Sequence, residues 1–431
     1  DLACERLEAD VARRTQLVTE YEQMRQRLAI PAEMAADLKG DAFQEYLLTE
    51  AFHALVAGAS VRLRQMSNRY TLDWQDGDFF VVDHDNAGER RRAETLSGGE
   101  TFMASLCLAL QLSDEVLKTS GALQMDSLFI DEGFGTLDAD GEWFGGLVTR
   151  AVEDLVRDPR VPRSIVIRST LLPGTAVEIA RAARAIDPSV VLAFNPEFTR
   201  EASAVEDFLG PDRVVIGVAD PASDSPIADD LHRLYEPLGA PIVVTDLTSA
   251  ETIKIASNVF LAAKITFANE LARLCAATGA DVQQVVNGMG HDRRIGRAFL
   301  SPGPGFGGSC FPSQARALPE LAARHGIETP LFRAVAPSNE HQADWLLDRM
   351  AALTGRPAEG LRVALLGLTF KAGTDDLRES PALRLAERLA GRGAMVAAWD
   401  PVATARGVAE LAARGTSARA APSAQDACSG A

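Results

Sequence analysis

The spacing of hydrophobic positions changes several times along the chain. Up to about Leu28 there is no Gly or Pro; Leu7, Tyr21 and Leu28 lie on one heptad row and Val11 and Val18 on the other, but Arg14 and Arg25 interrupt both rows. The coiled-coil signal is therefore weak. From Lys39 to Tyr70 the pattern stays helical, and residues 70–74 and 79–83, separated by Asp76-Gly77, then read as a hairpin. A helix is expected over about 99–119 and a buried strand over 127–130. From Ser164 onward short apolar runs at 164–169, 189–194, 213–218 and 241–245 alternate with helical segments. This alternation predicts a mainly parallel, doubly wound α/β sheet. One long helix follows, from a capping box at Thr248 and Glu251 to Gly279, with Ile253, Ala256, Phe260, Ala263, Phe267, Leu271 and Leu274 along one stripe. Its length suits a domain connector or a dimer interface. After a Gly/Pro-rich loop at 301–312 come two further helices and a second βαβ unit, with strands at 362–366 and 394–400. The Ala- and Ser-rich tail after Gly407 gives little pattern.

The length of 431 residues accommodates two to four domains, and a 47% hydrophobic share excludes disordered and fibrous classes. No stretch approaches the roughly 20 apolar residues of a membrane span, so no membrane partner is expected. A formal charge of −17 disfavours nucleic-acid binding by this chain alone. Cys4, Cys107, Cys275, Cys310 and Cys428 are too scattered for a disulfide scaffold and predict reduced thiols in a cytoplasm. The first residues show neither a signal peptide nor an initiator Met, as expected of a chain that starts within a longer gene.

Two stretches carry chemistry. In the first, Leu96-Ser97-Gly98-Gly99-Glu100 opens a helix, and the strand expected over 127–130 runs into Asp131 and Glu132, followed by Gly135-Thr136-Leu137-Asp138. Ser97, Gly98 and Gly99 would let backbone N–H groups approach a phosphate, while Asp131 would hold Mg²⁺ and Glu132 would orient a water. Residues 1–142 resemble a C-terminal fragment of the ATPase subunit of SbcC-type exonucleases, an α+β lobe of the ABC/SMC class. No G-x-x-x-x-G-K-[ST] occurs in the chain. The resemblance therefore implies ATP and Mg²⁺ only when a second polypeptide completes the site. The alternative function it offers is that of an ATPase subunit of a DNA-repair exonuclease.

In the second stretch, Gly303, Gly305 and Gly308 formally spell G-x-G-x-x-G, but Pro302 and Pro304 lie before and within it and no strand precedes it, so a dinucleotide loop is rejected. Glycines before Cys310 would instead keep its thiol accessible. Cys107 and Cys275, inside apolar helical patterns, read as core residues. A thiolate suits the oxidation of an alcohol through an aldehyde to an acid. Lys254 and Asn258, four apart on the long helix, could together hold an oxyanion, although such a pair is usually a solvated face.

Residues 147–425 resemble the nucleotide-sugar dehydrogenases that act on UDP-glucose and GDP-mannose. The stretches that carry the resemblance are 168–175, 195–201, 253–258, 294–296, the Cys310 loop and 370–381, and the Phe-Gly-Gly-Ser-Cys-Phe-Pro form of the loop favours the UDP-glucose branch. The family implies oxidation of UDP-glucose to UDP-glucuronate with two NAD⁺, no metal in this part, and a homodimer formed through the long helix. By the same resemblance Cys310 is the nucleophile, and Lys254, Asn258, Thr170 and Glu197 manage the oxyanion and the protons. Thr170, Glu201 and Arg378 would lie near NAD. Phe299, Leu300, Phe306 and Gly307 would line the sugar site, Lys371 would contact the sugar nucleotide, and Arg294 would reach in from the partner subunit. The implied domains are an incomplete NAD-binding domain at 147–246, a helical dimerisation and cysteine domain at 247–345, and a truncated second Rossmann-like domain at 355–431. Two departures stand out. The family's Lys-Asp after the cysteine loop is Ser313-Gln314 here, and the family's opening strand with its G-x-G-x-x-G is absent from this chain.

Overall fold

The structure, a computed structural model, describes residues 13–25, 40–75, 77–96, 98–120, 145–157, 164–220 and 226–429. The chain divides into two units, Asp1–Met125 and Asp126–Ala431. In the first, helix α1 (13–25) is exposed along its length. Helix α2 (Gly40–Ser67) leads into an antiparallel meander of β1 (Tyr70–Gln75), β2 (Asp78–Asp83) and β3 (Glu89–Arg92), and α3 (Gly98–Ser120) follows. Val56, Ala59 and Leu63 of α2 pack with Tyr70, Leu72, Val81, Ala104 and Cys107 into one core, which confirms Cys107 as a packing residue. The hairpin follows its alternating pattern. Strand β3 was not expected, because Glu89-Arg-Arg-Arg92 has no apolar face. The sheet recruits it through the side chains instead: the Arg90 guanidinium stacks 3.8 Å from the Phe80 ring and pairs with Asp73 at 2.9 Å. Expected strand 127–130 lies outside the described residues.

The second unit opens with α4 (Gly145–Arg157), β4 (Ser164–Ile167), α5 (Thr175–Ile186), β5 (Val191–Phe194), α6 (Ala204–Leu209), β6 (Val214–Val218), α7 (Pro226–Tyr235) and β7 (Ile242–Asp246). The sheet order is β4-β5-β6-β7, with β4/β5 and β6/β7 parallel but β5/β6 antiparallel. The sheet is thus mainly parallel, as expected, with one antiparallel pair. A parallel crossover needs a covering helix, and between β5 and β6 the chain forms only the six-residue α6. Gly217 lets β6 lie against the next helix, since a Cβ there would sit 2.7 Å from that of Ala250.

The long helix α8 (Leu247–Thr278) ends at Gly279, which is left-handed at φ 79°, as expected. Its start differs from expectation. Asp246 is the N-cap and accepts from the Ser249 amide at 2.8 Å, because the Glu251 side chain points into the protein rather than back along the helix. Then come α9 (Val282–Gly290), α10 (Cys310–Arg324), α11 (Pro330–Thr354), β8 (Arg362–Leu366), α12 (Pro381–Gly391), β9 (Met395–Trp399), α13 (Thr404–Ala413), β10 (Ala418–Ala420) and α14 (Ala424–Cys428). Strands β10-β9-β8 form a parallel sheet over a core that includes Leu347, Leu368, Leu383, Leu389, Val396 and Leu411. Residues 407–429 thus complete α13 and form β10 and α14, short alanine-rich elements that bury small side chains such as Ala421 and Ala427 and so give no strong pattern. Among the described residues no helix is long and apolar enough to cross a membrane.

Candidate active site

Strands β4 and β5 end side by side, and the loops that leave their carboxyl ends carry several expected site residues. In open α/β sheets that edge is where ligands bind. The Asn195 amide donates to Ile167 O at 2.8 Å, and its side-chain Nδ2 donates to Val215 O at 2.7 Å. Arg168 donates to Asn195 Oδ1 at 2.8 Å and to the Tyr235 hydroxyl at 2.5 Å. This network fixes both loops. Thr170 Oγ1, in the first loop, is buried and has no hydrogen-bond partner.

Glu197, in the second loop, meets α8. Lys254 is only 3% exposed, and its Nζ donates to Glu197 O at 2.6 Å and to Glu197 Oε1 at 3.1 Å. The Glu197 Oε2 accepts from the Thr199 amide at 2.7 Å and from the Thr199 hydroxyl. One turn beyond Lys254, Asn258 Nδ2 donates to Gln314 Oε1 at 3.0 Å. The Lys254/Asn258 face is therefore turned inward and is not solvated. Gln314 is buried and lies four residues after Cys310 on α10, so that Cys310 and Gln314 share a face of that helix.

Cys310 is half-buried and is the first residue of α10, whereas its sequence context predicted a loop. The unsatisfied N–H groups of a helix start carry partial positive charge, which favours a developing anion there. The glycines before it serve close packing: a Cβ on Gly307 would fall 2.4 Å from Glu379 O, and one on Gly308 would fall 3.0 Å from the Phe370 ring. Gly305, at φ 120°, is pressed against Asn339. None of these contacts resembles a phosphate cradle, in agreement with the rejected dinucleotide reading. The Gly308 amide donates to Arg378 O at 2.9 Å and so ties the cysteine loop to the segment after β8.

That segment also reaches the loop after β5. Glu201 receives Lys371 Nζ on its carbonyl at 2.7 Å, Thr374 Oγ1 on Oε2 at 3.3 Å and Arg378 Nη2 on Oε1 at 3.2 Å. Burial, and then the charge of Asp376, push the Glu201 carboxyl above its ordinary range against the pull of Arg378. Beside Cys310 a cleft of about 670 Å³ is lined by Ser309, Ser313, Arg316, Asp376, Arg378 and Glu379 among others.

The sugar-site expectations divide. Leu300 and Phe306 are buried; the Phe306 ring packs edge-on to Phe311, and Asn339 holds its amide at 2.8 Å and its carbonyl at 3.0 Å. Phe299 adopts a left-handed φ of 62° and lies 6.1 Å from Phe311. The Arg294 side chain is 90% exposed and is paired with Asp292 at 2.6 Å. Sequence reasoning missed the buried amides that hold the cysteine loop: Asn269 Oδ1 accepts from Gly303 N at 2.8 Å, and Gln342 Nε2 donates to Gly303 O at 2.9 Å. A polar residue within an apolar helical stripe was the available signal. In the first unit Gly98 and Gly99 begin α3, and Glu100 accepts from the Tyr70 hydroxyl at 2.6 Å. Ser97, Asp131 and Glu132 lie outside the described residues.

Three profiles of the UDP-glucose/GDP-mannose dehydrogenase family match in order: the NAD binding domain over residues 137–239, the central domain over 248–341 and the UDP binding domain over 364–431. The SbcC/RAD50-like Walker B motif profile matches residues 69–142. A UDP-glucose 6-dehydrogenase of Rickettsia bellii is 42% identical over 64% of this chain and 63% of its own length. One of Pseudomonas aeruginosa is 38% identical over 72% of this chain and 69% of its own length. The chain thus spans about 63% of the first of these relatives. Among solved structures, a UDP-glucose dehydrogenase of Pyrobaculum islandicum superposes with a TM-score of 0.60 at 33% identity, over 75% of each chain. A UDP-D-ManNAc dehydrogenase of Pyrococcus horikoshii gives 0.52 at 27% identity, over 59% of this chain and 61% of that one.

Proposed function

The chain belongs to the UDP-glucose/GDP-mannose dehydrogenase family, and from that premise we propose that it oxidises UDP-glucose to UDP-glucuronate with NAD, in a cytoplasm. The observation that carries the proposal is the Asn258–Gln314 hydrogen bond, which sets the face of α8 bearing Lys254 against the face of α10 bearing Cys310. The orphaned, buried Thr170 hydroxyl supports a cofactor contact there, and Glu201 and Arg378, paired with each other, would contribute further contacts. NAD, when bound, would supply the hydride acceptor for both oxidations.

The protein's own residues do the remaining work. In the half-oxidised sugar, the Cys310 sulfur adds to the aldehyde carbon and the C=O electron pair moves to oxygen. Lys254 and Asn258, as N–H donors, hold that oxygen as its charge develops. After the second hydride leaves, a water adds to the thioester carbon, the C–S bond breaks and the thiolate returns to Cys310. Glu197, buried against Lys254, takes the water's proton. Gln314 cannot ionise, so it gives this last step no charge. We therefore expect Gln314→Asp to speed release of the acid by about tenfold, read as the steady-state rate after the first-turnover burst. The reading as a whole is tested by incubating the protein with UDP-glucose and NAD⁺: it predicts two NADH for each UDP-glucuronate, and a folded sample that yields neither refutes it.

The dimer is part of the same reading. Phe260, Phe267 and Leu274, at heptad spacing on α8, are 66%, 51% and 58% exposed, a row of large apolar side chains that a second copy would cover. Arg294, directed to solvent, would then face the partner's site. Phe260→Glu with Phe267→Glu is expected to convert a dimer to a monomer in analytical ultracentrifugation, since two buried carboxylates per subunit would go unpaired. For residues 69–142, a signature helix and an acid pair support ATP and Mg²⁺ binding through Ser97, Asp131 and Glu132 only together with a phosphate-binding lysine loop supplied from outside these residues.

A further inference from the structure

Glu251 takes no part in the chemistry above, yet it is a fully buried carboxyl group, 0% exposed, on the helix that carries Lys254 and Asn258. Its Oε2 accepts from the Gly174 amide at 2.7 Å and its Oε1 from the Ala176 amide at 2.6 Å. Those N–H groups open α5, whose own cap residue, Gly174 at φ 97°, has no side chain to accept them. The first turn of α5 is thus capped from another element. The capped turn continues the loop that holds Thr170. Glu251 itself precedes Lys254 by three residues and Asn258 by seven, so all three lie along one face of α8.

We propose that Glu251 is a positioning residue: its carboxylate clamps the Leu171–Thr175 turn to α8 and keeps Thr170 and Lys254 in one frame, and its protonation loosens that clamp. The proposal rests on the preceding reading only for what the frame is for. A carboxylate accepts two N–H bonds at once, whereas a protonated carboxyl turns one oxygen into a donor and strands one of the amides. Burial pushes the Glu251 carboxyl up to about 7, against the two amides; Asp246 at the start of α8 and Glu178 on α5 push in the same direction as burial. Lys254, the cation one turn away, is engaged by Glu197. The clamp therefore titrates near neutrality.

Two consequences of opposite sign follow. Because the folded-state value lies above the ordinary carboxyl value of 4.5, the contribution of Glu251 to global stability is greatest below about pH 4.5 and falls as pH rises through about 7. Local protection of the α5 start rises over the same upper range, because only the ionised group holds both amides. A residue that merely filled space would give neither trend.

The test is hydrogen–deuterium exchange on the full chain, corrected for intrinsic rates, at about pH 6 and about pH 8. Between these the carboxylate fraction of such a group grows about tenfold. Protection of the amides at 174–176 is expected to grow by about tenfold, while amides in the middle of α8 stay level, and Glu251→Gln should abolish that dependence. Flat protection at 174–176 in the unaltered protein overturns the clamp whether or not the variant folds. So does a Glu251→Gln variant that keeps the pH dependence. Exchange needs no turnover, so a protein that shows the predicted protection but forms no NADH supports the clamp and refutes the dehydrogenase reading.

Discussion

On the proposed function, replacing Cys310 by Ser is expected to lower NADH formation from UDP-glucose by about a thousandfold or more, while the thermal midpoint should move by about 2 °C or less. The first effect follows from the role of the sulfur. A thiolate adds to a carbonyl readily, whereas a serine hydroxyl needs an adjacent base, and the polar groups fixed on this side of the site, Asn258 and Gln314, are amides that cannot serve as one. The second follows from position: Cys310 is half-buried at a helix start, outside the apolar clusters that hold the unit together. Steady-state absorbance of NADH together with a melting curve reads both. Turnover within about tenfold of the unaltered protein would remove Cys310 from the mechanism.

Lys254→Met is expected to be the most destabilising single change in the site. The ammonium and the Glu197 carboxylate are 4% and 6% exposed, so the substitution leaves a buried anion with its main counter-charge gone. Breaking such a pair by removing one partner costs about 3–5 kcal/mol, far more than the intact pair contributes. On the proposed function the change also removes an oxyanion donor and is expected to lower turnover by about a hundredfold or more. Adding Glu197→Gln should restore much of the stability, because the stranded charge is then gone, but it should not restore turnover. Urea unfolding of the single and double variants separates the two effects. A Lys254→Met protein as stable as the parent would mean that Glu197 is not held as an anion.

Much of this was legible in the sequence, and each failure has a local cause. The strands from β4 to β9 stand out because apolar runs between helices have few other ways to be buried. Cys310, Lys254, Asn258 and Glu197 were singled out by motif; Lys254 meets Glu197, and Asn258 meets Gln314, which shares a face of α10 with Cys310. Strand β3 escaped because its partners are guanidinium groups paired across the sheet rather than an apolar face. The tail escaped because alanine packs without a strong hydrophobic pattern. Glu251 was misread as a local cap, since sequence spacing shows which carboxyl can reach back along its own helix but not that α5 offers it two amides. Likewise, no spacing rule reveals that Glu201 joins Lys371, Thr374 and Arg378, which come from a distant part of the chain.

The account turns on a covalent bond between the sugar and one sulfur, and peptide mass mapping after incubation with UDP-glucose and NAD⁺ looks for that bond directly. With Gln314 giving no charge to the final hydrolysis, the account predicts an acyl adduct on the Cys310 peptide that hydroxylamine releases. NADH formed in molar excess over protein with Cys310 never modified, or an adduct on any other residue, would contradict it.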